Sequence, residues 1–220
     1  MRRREVIALG SAATVAALAG RSSRAGAVAT VGMLMDTAED NREGQARVVA
    51  FRQQLKEFGW VEGDNLHIEL RWGGGDIDRV RRDAAELVGL SPTVLFAYAN
   101  AELRPLSHLT HTIPIIFVGA SAPVEDGYVA SFAHPGGNIT GFIQYEPSMV
   151  SKWLSALKEL SPRVARVALL VNPDTAPLKG TFYLRAFEQA ASSFDVEPIT
   201  SFVHSSGDRS PSRSTNLTNR

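Results

Sequence analysis

Apolar residues recur along this chain in two rhythms that alternate. Residues 28–35 (VATVGMLM) form a continuous apolar run of strand length, which predicts a buried strand. Over 41–58, Val48, Phe51, Leu55 and Phe58 return at spacings of three or four. That is the apolar stripe of a helix, and Gly59 supplies its stop. A turn at 60–65 leads into 66–72, where Leu66, Ile68 and Leu70 alternate with His67, Glu69 and Arg71. Such alternation predicts a strand with one wetter face. A helix over 77–90, capped by Asp76, and a strand over 93–97 follow. The next helix, 102–110, carries Pro105; because proline is tolerated in a first turn, that helix is expected to start near Arg104. A strand at 115–118, a short helix at 124–132 and a strand at 139–142 complete the first half. After a crossover at 144–147, Val150, Trp153, Leu154, Leu157 and Leu160 line one face of a helix over 148–160. The pattern then gives a strand at 164–171, a helix at 175–194 and a strand at 196–203. Parallel neighbours need a crossover between them, so strands that alternate with helices predict an α/β fold with a doubly wound parallel sheet.

The two ends fall outside this pattern. Arg2-Arg3-Arg4, an uncharged apolar stretch over 6–20 and Ala25-Gly26-Ala27 have the layout of a cleaved export signal. The Arg3-Arg4-Glu5-Val6-Ile7 run resembles a twin-arginine signal, with a general secretory signal as the alternative. Residues 1–27 are therefore set aside from the fold, and a periplasmic location without a lipid anchor is expected. From 204 to 220 the chain is polar, with Leu217 its one apolar residue, which predicts a disordered tail. The domain plan is a first Rossmann-like lobe over 28–145, and a crossover with a partial second lobe over 146–203.

Composition narrows the chemistry. The 220 residues include 44% hydrophobic and 21% charged, enough for a real core. Lys and Arg number 23, as do Asp and Glu, so no excess of charge points to nucleic acid. There is no cysteine, which removes disulfides, thiolate metal sites and a cysteine nucleophile together. No G-x-G-x-x-G follows the first strand, and Ser121 does not sit in a G-x-S-x-G elbow. Gly73-Gly74-Gly75 lacks the Lys and Ser/Thr of a phosphate loop, and Asp76 and Asp78 would repel an anion; it reads as a flexible connection. His108 and His111 are spaced for a metal but have no third ligand nearby in sequence. No catalytic residue, metal or cofactor is called for. In open α/β sheets ligands sit at the carboxyl ends of the strands. The candidate ligand-binding residues are therefore Asp36 and Thr37 after the first strand, and Tyr98 and Asn100 after the third. Ala120 and Ser121 follow the fourth, and Asn172 and Asp174 the first strand of the second lobe. Tyr98 is the residue expected to stack on a ligand. Asp126 and Glu146 are further candidate cleft carboxylates.

Three strings carry a family resemblance. They are HTIPIIFVGASAPVEDGYVASFAHPGGNITGF over 111–142, AFRQQLKEFGWVEGDNLHIELRW over 50–72, and VALLVNP over 167–173. They resemble the substrate-binding proteins of ABC transporters, tryptophan/tyrosine-type subgroup, with a type 1 periplasmic-binding-protein fold. The resemblance implies no catalysis. It implies an exported component that binds a small solute, such as an amino acid or related organic compound, between two lobes and passes it to an ABC permease in the inner membrane. Tyr98–Ala101 replace the hydroxyl and glycine positions usual in that family's loop. Family members continue through further strands, so a truncated, non-functional remnant is an alternative, and an α/β enzyme without recognisable motifs is a second.

Overall fold

A computed structural model describes residues 28–204 apart from Pro147; the expected export signal and the residues of the tail from 205 onward lie outside the described residues. Strands β1 (Ala29–Met35), β2 (Leu66–Trp72), β3 (Val94–Tyr98), β4 (Ile115–Ala120) and β5 (Ile139–Ile143) form one sheet in the order β2-β1-β3-β4-β5. Every adjacent pair is parallel. The order reverses between β1 and β3, so a crevice opens where the crossovers from these two strands diverge.

Helices cover both faces, as a parallel sheet requires. Along β1, Val31, Met33 and Met35 join Val48 and Leu55 of α1 (Arg42–Glu57) on one face. Leu34 joins the opposite face, with Leu95, Ala97 and Phe117. Val80, Ala84 and Leu87 of α2 (Ile77–Gly89) and Leu103 and Leu106 of α3 (Asn100–Leu109) pack there. The period-two alternation of a strand thus sorts its side chains between two cores. Asp76 caps α2: its Oδ1 accepts from the amides of Asp78 and Arg79 at 3.0 Å each.

A smaller parallel sheet pairs β6 (Arg166–Val171) with β7 (Glu197–Phe202). Helices α4 (Met149–Leu160) and α5 (Thr181–Ser193) share a core with it through Val150, Leu154, Phe187, Ala190 and Ala191. The opposite face of this sheet is open. Leu170 is 65% exposed and Ile199 37%, and all six residues of β7 are exposed.

Three expected elements differ. No helix forms over 124–132. The amides of Tyr128 and Val129 both return to the carbonyl of Pro123, at 2.9 and 3.2 Å, and the chain leaves after one turn. Helix α3 starts at Asn100 rather than near Arg104, because Ala99 turns out of β3 with φ 79° and its carbonyl accepts from Leu103 at 3.2 Å. Pro105 therefore lies inside the helix, where it removes the bond to Ala101. The helix expected over 175–194 is broken. Pro177–Gly180 form a separate short turn with Leu178 (φ 48°) and Lys179 (φ 54°) left-handed, and α5 begins only at Thr181.

Candidate functional site

The carboxyl ends of β1, β3 and β4 converge on one rim. Asp36 and Thr37 follow β1 directly, and two backbone bonds fix their loop. Gly73 donates to Met35 at 2.7 Å and Gly74 to Thr37 at 3.1 Å. Gly74 holds φ 63° to make that approach, so the glycine run after β2 serves to brace the rim. Asp36 is half-buried, and burial raises its carboxyl pKa above the ordinary value against the opposing pull of Arg47. Arg47, from α1, lies 3.5 Å from Asp36 and also pairs with Glu43. Its guanidinium sits 4.3 Å above the ring of Tyr98, the last residue of β3. One face of Tyr98 is thus already occupied, and a stacking ligand has only the other. Behind the rim, the Thr37 hydroxyl oxygen and Glu102 Oε2 are buried without a partner among the described residues.

Asn100 and Ser121 form a buried clamp between β3 and β4. The Asn100 amide donates to the Ser121 carbonyl at 2.8 Å, and the Ser121 amide donates back to Asn100 Oδ1 at 2.9 Å. Asn100 is 5% exposed and Ser121 3%, so each satisfies the other's buried polar groups. Ala120, fully buried at the end of β4, belongs to the core shared with Leu34 and Phe117. Asp126 Oδ2 lies 3.4 Å from the Asn100 amide and accepts from it.

Elements of the smaller sheet meet this rim. The Tyr183 hydroxyl, on α5, donates to Ser121 Oγ at 2.7 Å. The Leu178 amide donates to Asp126 Oδ1 at 3.1 Å. Arg104 donates to the carbonyls of Asp174 and Ala176 at 3.1 and 3.3 Å. Asn172 Oδ1 accepts from the Asp174 amide at 2.9 Å, and the Asp174 carboxylate lies 3.0 Å from His204 Nδ1. A run of rings flanks the junction: Tyr145 and Trp153 have centroids 6.2 Å apart, Trp153 and Tyr183 6.4 Å, and Tyr183 and Phe182 5.1 Å.

The expected residues therefore fall into three groups. Asp36, Thr37 and Tyr98 stand with Arg47. Asn100, Ala120 and Ser121 form the buried clamp. Asn172 and Asp174 lie on the loop after β6, tied to the rim through Arg104. Sequence reasoning did not find Arg47, Glu102, Arg104 or Tyr183. Each sits on a helix away from the strand ends, and nothing in the sequence marks them. Asp126, named from the sequence as a candidate carboxylate, accepts here from the Asn100 side chain and the Leu178 amide. Among the described residues there is no group of three or more His, Cys, Asp or Glu arranged to hold a metal ion, and no helix long and apolar enough to cross a membrane.

Comparison with known proteins fits this fold. The family model described as ABC transporter substrate binding protein matches residues 29–210. The tyrosine-binding protein of Clostridioides difficile (strain R20291) is 28% identical over 122 residues, which are 56% of this chain and 35% of that protein. A conserved domain protein from Vibrio cholerae superposes with TM-score 0.69 at 25% identity, over 80% of this chain and 57% of that one. The ABC domain in complex with L-Trp from Streptococcus pneumonia superposes with TM-score 0.71 at 20% identity, over 80% and 58%. This chain thus spans about a third of the curated relative and under three fifths of these two structures. Its parallel five-stranded sheet is that of the type 1 periplasmic binding proteins. The match over most of the chain, joined to that fold, makes it a member of the ABC transporter substrate-binding family, whose members are binding proteins and not enzymes.

Proposed function

We propose that this chain is the exported solute-binding component of an ABC importer, with residues 28–145 and 146–203 as two lobes and the ligand between them. The solute is small, an amino acid or a related organic compound, and the next partner is a permease in the inner membrane. The observation that carries this reading is the Tyr183–Ser121 bond of 2.7 Å. It joins a strand-end loop of the large sheet to a helix of the small one, which is where a closing cleft would grip its cargo. The printed ligands of the relatives, tyrosine for one and L-Trp for another, support an aromatic or amphipathic solute. So do the rings of Tyr145, Trp153 and Tyr183. Residues 1–27 would direct export to the periplasm.

A thermal unfolding scan of the chain with a panel of amino acids and small aromatic acids tests this. A compound bound only by the native state raises the transition, by about 2.7 kcal/mol at a hundredfold excess over Kd. A panel that moves nothing counts against the reading. The open face of β6 and β7 favours a second one, in which this stretch of chain binds no solute by itself. A broad transition that no compound shifts would support it.

A further inference from the structure

Beside the Ser121–Tyr183 junction lies a hollow of about 220 Å³, with Ala122 and Phe182, the next residues in sequence, in its wall. Phe132, Tyr145 and Phe182 supply its aromatic surface, and Glu125 and Glu146 its charge. Phe132 is 66% exposed and Tyr145 39%, an unusual outlay of ring surface toward solvent. Among the described residues, no lysine, arginine or histidine lines the hollow. Among the described residues neither glutamate has a cationic partner within ion-pair distance; Glu146 only accepts from the Ser148 hydroxyl at 3.4 Å. The two arginines of the junction are engaged elsewhere, Arg47 with Asp36, Glu43 and Tyr98, and Arg104 with two backbone carbonyls.

From this arrangement we propose that the hollow receives the ammonium end of an amine-bearing organic solute, its apolar body running toward the Trp153–Tyr183 rings. The proposal rests on the reading of the junction as the solute site and adds the charge of the ligand. A ring face attracts a cation through its quadrupole, and a carboxylate does so through its charge. Both elements of the wall therefore select the same sign. An anion would meet two like charges, and no guanidinium there is left to receive it.

The test is isothermal titration of the full chain at low salt with 2-phenylethylamine, 3-phenylpropionate and phenylalanine, which share one ring and differ in charge. The amine is expected to bind about tenfold more tightly than the acid, and to lose that advantage as salt screens an exposed site. The double variant Glu125→Gln/Glu146→Gln should weaken the amine about tenfold and leave the acid unchanged, at an unaltered melting temperature since both side chains are exposed. Binding of the acid or the amino acid without the amine overturns this proposal and leaves the solute-binding reading standing. Equal binding of amine and acid, or a double variant that behaves as the parent, also overturns it. If none of the three binds, the proposal fails together with the aromatic-solute reading.

Discussion

Glu102 enters the core on the first turn of α3 at 2% exposure, beside Gly73 and within the field of Asp36. Burial, the dominant effect, pushes its carboxyl pKa up to about 8 from an ordinary 4.5. The folded state thus keeps a proton that the unfolded chain releases. Between pH 4.5 and 8 the unfolded state binds fewer protons, so stability falls as pH rises through that window, by on the order of 3 kcal/mol at pH 7. Urea midpoints recorded from pH 5 to 8 should decline for the parent chain and flatten for Glu102→Gln. A slope retained in the variant would assign the effect to another group. Asn100 offers a second test at this scale. Asn100→Ala strands the amide and carbonyl of Ser121 in a buried place and should cost about 2 kcal/mol in urea unfolding. Serine in its place should recover part of that loss. These single residues were the least legible part of the sequence. Asn100 was visible as a strand-end polar group but not as a clamp. Glu102 looked like any first-turn acid, since its burial depends on Gly73 leaving room for it, a contact between segments 29 positions apart.

At the scale of elements, the strands were legible to within a residue or two because each apolar run meets its boundary in local chemistry. The helices were less so. Pro105 marks a helix break in isolation, yet α3 forms around it, since Ala99 and the Asn100 clamp set the start of the helix from outside its own sequence. Over 175–180 the reverse happened: a helical pattern is interrupted because the Leu178 amide is drawn to Asp126 on a distant loop. Leu178 and Lys179 pay for that contact in left-handed backbone, which costs a side-chain-bearing residue roughly 1–2 kcal/mol. Lys179→Gly should therefore hold or raise the melting temperature, although glycine ordinarily lowers it. Gly141, inside β5, carries the opposite expectation. A Cβ there would clash with the Phe117 carbonyl oxygen of the adjacent strand. Gly141→Ala should destabilise by about 1–3 kcal/mol and lower the thermal midpoint seen by circular dichroism.

For the molecule as a whole, the alternation of strand and helix identified the parallel sheet, and three short strings pointed to the family. Neither could reveal how unevenly the two sheets are covered. The large sheet is sandwiched between helices, whereas β6 and β7 show one face to water, with Leu170 and Ile199 exposed on it. An uncovered apolar face on a parallel sheet invites burial against other chains. Sedimentation velocity should accordingly find concentration-dependent association, and Leu170→Lys should reduce it with little change in melting temperature. An unchanged profile would mean that the contact lies elsewhere.

The chain of rings at the junction has an optical consequence. Of the three tryptophans, Trp60 and Trp72 pack against the large sheet, and Trp153 alone stands between Tyr145 and Tyr183, 42% exposed. Any parting of the two sheets changes the surroundings of one indole and leaves the other two as they were. Emission that shifts to longer wavelength as Trp153 is wetted would then follow that motion without an added dye.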